Sequence, residues 1–236
     1  MSTRRRPVVA IDGPAGAGKS SVTRLVAQAL GYVLVDTGAL YRAVALAVQR
    51  AGADFDDVER VGEIAEALVG RDAVKLVGDA HGKAAVCLDG EDVSQSIRTQ
   101  ELSQGASKVS AQPRVRAALL DLQRNAGRDG GVVLEGRDIG TVVFPDAEVK
   151  LFLTASVNER ARRRFEQLKA AGEPADFEHV MNEVRERDRR DSTRPIAPLR
   201  QAPDAIVIDS SSLDITSVVA RIVSEVRAIE ARTAAS

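Results

Sequence analysis

Short apolar runs alternate along this chain with longer stretches in which apolar residues recur every three or four positions. The two rhythms divide it into strands and helices. Val8-Val9-Ala10-Ile11 is the first run, and Val22, Leu25, Val26 and Ala29 follow at helical spacing. Tyr32-Val33-Leu34-Val35 predicts a second buried strand, after which Leu40, Val44 and Val48 mark a helix that Gly52 stops. A further helix is expected over 58–69, with Val61, Ile64, Ala65 and Leu68 on one face.

The period then drops to two. Val74, Leu76, Val86 and Leu88 alternate with polar neighbours around Gly78-Asp79-Ala80-His81-Gly82, and Asp89-Gly90 supplies a tight turn before Val93. This predicts a small antiparallel sheet of two or three strands, inserted into an otherwise alternating chain. Helical spacing returns over 102–122 and closes at 127–131. Val132-Val133-Leu134, Val149-Lys150-Leu151-Phe152-Leu153 and Ala205-Ile206-Val207-Ile208 are three more strands. A last amphipathic helix starts near Asp214, carries Val218, Ile222, Val226 and Ile229 inward, and frays over 233–236. Strands alternating with helices imply an α/β fold: a doubly wound, five-stranded parallel sheet with right-handed crossovers. Ligands sit at the carboxyl ends of such strands. Here those ends carry Asp12-Gly13, Asp36-Thr37, Glu135 to Asp138, and Asp209.

The first of those ends is also the clearest chemical signal. Gly13-Pro14-Ala15-Gly16-Ala17-Gly18-Lys19-Ser20 fits G-x-x-x-x-G-K-[ST], between a strand and a helix as the motif requires. The glycines let backbone N–H groups converge on a phosphate chain, Lys19 reaches the β- and γ-phosphates, and the Ser20 hydroxyl sits on Mg²⁺. Composition narrows the setting. A net charge of −1 argues against bulk binding to nucleic acid or membrane, and the single cysteine, Cys87, excludes an internal disulfide. No apolar run approaches the roughly 20 residues of a membrane span. Arg4-Arg5-Arg6 leads into a strand rather than a signal sequence. These features describe a soluble, cytoplasmic protein.

The basic residues are mostly arginine, and they cluster. A helical hairpin is expected from 158–172 and 177–191, with Arg160, Arg162, Arg163 and Arg164 around its first helix. In the second helix Val180, Val184, Arg187 and Asp191 share one face, so the core-facing stripe turns charged without changing direction. Pro195 disfavours helix at Arg194, which begins the loop beyond. Such a stripe suits a polar cleft. Phosphoryl transfer between two nucleotides works mainly by positioning and charge stabilisation, and it must exclude water.

The order of motifs resembles a known family. The phosphate loop is followed by Asp36-Thr37-Gly38-Ala39-Leu40-Tyr41-Arg42, then the small sheet with Leu88-Asp89-Gly90-Glu91-Asp92-Val93. Ile97-Arg98-Thr99, Pro113-Arg114-Val115-Arg116, Glu135-Gly136-Arg137-Asp138-Ile139-Gly140-Thr141-Val142-Val143-Phe144-Pro145 and Arg187-Asp188-Arg189-Arg190-Asp191 complete the series. Over essentially the whole chain this closely resembles bacterial cytidylate kinase, of the nucleoside monophosphate kinases. Lys19-Ser20-Ser21 stands where Lys-Gly-Thr is common, and Glu135 where Asp often stands.

The resemblance implies transfer of the γ-phosphoryl group of ATP to CMP or dCMP. It also implies a core (1–38, 104–157, 192–236), a monophosphate-binding lobe (39–103, with the sheet insert at about 72–95) and a lid (158–191). By position, Lys19, Arg137, Arg187 and Arg194 are the catalytic set, and 13–21 with Arg163 of the lid hold ATP, including Pro14, Ala15, Ala17 and Ser21. Arg42, Arg137 and Arg194 would hold the CMP phosphate, with Thr37 and Tyr41 nearby. Ser107, Arg116 and Asp138 would read cytosine, and Arg187 and Asp191 would meet the sugar. The implied partners are ATP, CMP or dCMP and Mg²⁺, in a monomer.

The base assignment has its own logic. Cytosine offers an N4 donor and acceptors at N3 and O2, which a carboxylate and an arginine match and uracil does not. Other P-loop kinases for small acceptors, and a nucleotide-binding switch that phosphorylates nothing, are the competing readings. His81 and His179 are expected at the surface, Cys87 as a small, unreactive thiol, Arg114 as a surface or helix-start charge, and Asp36 either as a strand-end cap or as a ligand.

Overall fold

A computed structural model describes residues 4–78 and 84–234. Five parallel strands form the main sheet: β1 (Val8–Asp12), β2 (Val33–Asp36), β6 (Val132–Gly136), β7 (Val149–Thr154) and β8 (Ile206–Asp209), ordered β2-β6-β1-β7-β8. β1 is therefore central and covered on both faces, and every residue in it is buried, as expected of a parallel strand. Helices α1 (Lys19–Leu30) and α8 (Ile215–Ala234) cover one face through Val22, Val26, Val218, Ile222 and Val226. α8 includes residues 233 and 234 of the expected frayed end, and the rest of that end lies outside the described residues.

The other face is covered by a separate layer. Helices α2 (Thr37–Arg50), α3 (Val58–Gly70), α4 (Gln100–Val109) and α5 (Pro113–Gly127) enclose a core around Leu40, Val44, Leu102 and Leu119. Against them lies the small antiparallel sheet of β3 (Val74–Gly78), β4 (Ala84–Leu88) and β5 (Glu91–Asp92), in the order β3-β4-β5. Its predicted alternation holds: Val74, Val86 and Leu88 are buried, whereas Cys87 points to the half-exposed side. The turn expected at 78–82 falls on positions that, beyond Gly78, lie outside the described residues.

One expected helix is two. The apolar spacing over 102–122 continues through residues 110–112, but Pro113 has no N–H to donate and takes the first position of α5. Side-chain caps begin α2, α4 and the two helices of the hairpin: Asp36 accepts from the Ala39 N–H, Thr99 from Leu102, Ser156 from Glu159 and Asp176 from His179. The helical hairpin is α6 (Val157–Ala170) and α7 (Phe177–Thr193), held by Ala161, Leu168, Val180, Met181 and Val184.

Candidate active site

The carboxyl ends of β1, β2 and β6 meet by register. Asp12 lies beside Gly136, and Asp36 beside Glu135. Above them opens a cleft of about 1010 Å³, walled by the phosphate loop, the starts of α2 and α4, and the inner faces of α6 and α7.

At one end the loop is shaped by its glycines. Gly13 has φ +150°, and a Cβ there would lie 1.9 Å from the Leu153 carbonyl oxygen, so no other residue fits. Gly18, at φ 88°, turns the chain into α1. Lys19 is buried and donates to the carbonyls of Gly13 and Pro14, both at 2.7 Å. Burial, followed by the nearby Arg137 charge, holds its ammonium well below the usual lysine range. The Ser20 hydroxyl donates to Glu135 at 2.9 Å. Glu135 is itself raised above the usual carboxylate range by burial and by Asp36. Arg163 reaches this end, where a Cβ on Gly18 would lie 3.6 Å from its Nη1. Its fork rests on Glu159 and on the main-chain oxygen of Ser210, at 2.8 and 2.6 Å.

The opposite end is made of side chains. Arg116 and Asp138 are buried and form a close ion pair, and Arg194 donates to the second oxygen of Asp138 at 3.4 Å. The Arg116 guanidinium lies 5.5 Å from the centre of the Tyr41 ring, within cation–π range. Ser107 is buried beside them and accepts from Arg190 at 2.9 Å. Arg194 thus contacts one of the expected base-reading residues, and its charge also acts on Asp191, the partner of Arg137. Behind Asp138, residues Ile139–Val143 wind into a π-helical turn. Both oxygens of Asp12 accept its first two N–H groups, from Ile139 and Gly140, at 2.8 Å each. Burial pushes Asp12 up to about 6 despite those bonds.

Between the two ends lies a group of cations. Arg137 donates to Asp191 at 3.0 Å, and Arg42 to Asp36 at 2.5 Å. Arg187 donates to Ser103 at 3.3 Å. Burial, and then the charges of Arg137, Arg42 and Arg190, push Arg187 down to about 10. Burial raises Asp191, but Arg137 and Arg187 outweigh it and hold the carboxylate below its usual range. The Nε atoms of Arg42 and Arg187 are buried without a hydrogen-bond partner. Two unpartnered guanidinium donors in a cation-rich gap make an anion site.

Four features of the cleft were not singled out from the sequence: Arg160 beneath the loop, the Glu135 bond to Ser20, the role of Asp12, and Arg190 on Ser107. Asp36 serves as a helix cap and as a partner of Arg42. Arg114 is an exposed charge bridging Glu59 and Glu66 at 2.7 Å each. His179 is exposed, and His81 lies outside the described residues. Among the described residues no helix is long and apolar enough to cross a membrane.

Comparison with known proteins agrees across the chain. The family model for cytidylate kinase matches residues 9–228. A cytidylate kinase of Geobacter sp. (strain M21) is 54% identical over 212 residues, covering 89% of this chain and 88% of its own. One from Pelotomaculum thermopropionicum is 51% identical, over 94% of this chain and 96% of its own. A crystal structure of an uncharacterized protein from Eubacterium ventriosum shares the fold at a TM-score of 0.53 and 12% identity, covering 94% of this chain and 99% of its own.

Proposed function

The chain belongs to the cytidylate kinase family, and on that premise we propose how its cleft carries the γ-phosphoryl group of ATP to CMP or dCMP. The observation that carries the reading is the cation-rich gap between the loop and the Arg116–Asp138 pair, where Arg42 and Arg187 hold unpartnered donors. An acceptor phosphate in that gap meets the γ-phosphate of an ATP lying along the loop.

An oxygen of the CMP phosphate attacks the γ-phosphorus, and the bond to the bridging oxygen of ADP breaks. That oxygen is already anionic, so a general base would add little. The chain supplies position and charge. Loop N–H groups and Lys19 take the donor phosphates. Lys19 exchanges its two carbonyl partners for phosphate oxygens, which also relieves the burial of its charge. Arg42, Arg137 and Arg187 hold the acceptor phosphate and the group in transfer, and Asp191 keeps Arg137 and Arg187 turned toward the gap while meeting the sugar. Asp138 accepts from cytosine N4, Arg116 and Ser107 donate to N3 and O2, and Arg194 braces Asp138. Arg163 closes over the ATP phosphates by leaving Ser210.

Ser20 and Glu135 fit Mg²⁺. A hydroxyl and a carboxylate joined at 2.9 Å beside the loop are the oxygen donors that would hold the ion, a donor type that suits Mg²⁺. When bound, the ion neutralises charge on the β- and γ-phosphates. We assign residues 39–103 to the acceptor lobe and 158–191 to the lid, both closing on a core that works as a monomer in the cytoplasm.

A coupled ADP-release assay with Mg·ATP against CMP, dCMP, UMP, AMP and GMP tests the reading. Turnover confined to CMP and dCMP is expected. Comparable UMP turnover overturns the assignment of Asp138 and Arg116, and ATP consumption that ignores the acceptor overturns the transfer itself.

A further inference from the structure

Arg160 is the one arginine of the 160–164 cluster whose side chain is almost fully buried, at 4% exposure. Its fork is occupied by the protein. Nε donates to the Ala155 carbonyl at 2.9 Å, and Nη1 to the Ala15 carbonyl at 3.1 Å. Asp188 of α7 accepts from Nη1 and Nη2 at 2.8 and 2.6 Å, as a bidentate pair. The backbone is equally close: a Cβ on Gly16 would lie 3.0 Å from the Arg160 Cβ and 3.2 Å from its carbonyl oxygen. Helix α6 therefore lies directly on the phosphate loop.

A planar trans peptide points its C=O and its N–H in opposite directions. Holding the Ala15 carbonyl from the outside turns the Gly16 N–H the other way. We propose that Arg160 is a positioning residue for the donor: it fixes the Ala15–Gly16 peptide with the Gly16 N–H aimed into the phosphate cradle, and Asp188 holds the guanidinium in place. Gly16, at φ +79°, is a residue whose peptide would otherwise be free to turn. The planar fork suits this task because it serves the loop carbonyl and the carboxylate together, which a lysine cannot do. Asp188 is adjacent to Arg187, so the helix that carries the acceptor-side arginine is tied to the donor loop through Arg160. The inference rests on the loop being the ATP-phosphate site.

The test compares Arg160→Lys and Asp188→Asn with the unaltered enzyme, measuring KM for ATP and CMP, the Kd of ADP without acceptor by calorimetry, and the melting temperature. Arg160→Lys is expected to raise ADP Kd and ATP KM about tenfold, the loss of one charge-assisted hydrogen bond. CMP KM should stay within about twofold on the same scale. Asp188→Asn should move the same two constants in the same direction by less, and it carries the test alone if Arg160→Lys does not fold. A lowered melting temperature with ADP Kd unchanged would make Arg160 a strut and overturn the proposal, as would an equal rise in CMP KM. Lys19→Ala is the control. If it too leaves ADP Kd unchanged, the reading of the loop fails; if it weakens ADP while Arg160→Lys does not, only the positioning role fails.

Discussion

The two ends of the cleft are built by different means. The donor end is nine consecutive residues, 13–21, whose glycines at φ +150°, +79° and +88° shape a backbone surface with one buried lysine. The acceptor end gathers side chains from residues 36–42, 107–116, 137–138 and 187–194, mostly as guanidinium–carboxylate pairs. Phosphates are alike in every nucleotide, and converging N–H groups suffice for them. A base differs from its rivals only in which edge atoms donate and which accept, and a buried polar site rejects a mismatch by leaving groups unpaired. Arg116 and Asp138 satisfy each other in this structure, so on the proposed reading a base would replace a partner rather than fill a gap.

Substitutions that act on one end only would sharpen this contrast. Lys19→Ala should lower kcat about 10³-fold, the scale of losing a preorganised charge on a developing anion, with CMP affinity retained by equilibrium dialysis. A parallel loss of CMP binding would break the division. Next in size, Asp138→Asn presents an amide donor where a carboxylate accepted. The ratio of kcat/KM for CMP over UMP should fall about 10²-fold, with KM for ATP unmoved.

Asp12 tests the seam between the ends, since it closes β1 just before Gly13 and holds the π-helical turn behind Asp138. Its folded value of about 6 lies above the ordinary aspartate value of 3.8, so the folded state binds this proton more tightly than the unfolded chain. Its contribution to stability is smallest above pH 6 and grows as pH falls toward 3.8. Denaturant titrations should show the native protein gaining about 1 kcal/mol on Asp12→Asn between pH 7 and pH 5. A constant difference would mean that Asp12 does not titrate as its burial requires.

The same contrast explains what could be read in advance. A site made by consecutive residues appears as a motif, so Gly13 to Ser21 was legible together with the strand and helix around it. The five parallel strands were legible for a similar reason, as apolar runs, but the second was expected to be buried and, like β8, lies at a sheet edge with an exposed valine, Val33 or Val207. Of the acceptor end, the Arg187–Asp191 face was legible from helical spacing, and the rest only through resemblance, because nothing local links Arg116 to Asp138 or Asp191 to Arg137. Arg194 was expected at the phosphate, and its bond to Asp138 is a further contact that spacing does not carry. The helix expected over 102–122 failed on one residue, Pro113, whose effect on the backbone outweighs an unbroken apolar period. Arg160 looks like its neighbours Arg162, Arg163 and Arg164 until packing shows which of them is buried.

The strand order also governs how the molecule comes into being. β1 pairs only with β6 and β7, with Val8 beside Val132 and Val9 beside Val149. During synthesis at about 5–20 residues per second, the phosphate loop must wait roughly 7–28 seconds for Leu153 to follow Gly13. The layer from α2 to α5 has its own core and small sheet, all drawn from residues 39–122, and its contacts are closer in sequence. It is the part equipped to condense first on the ribosome. The donor motif, translated near the start, acquires its shape only after Leu153 is available to pack against Gly13.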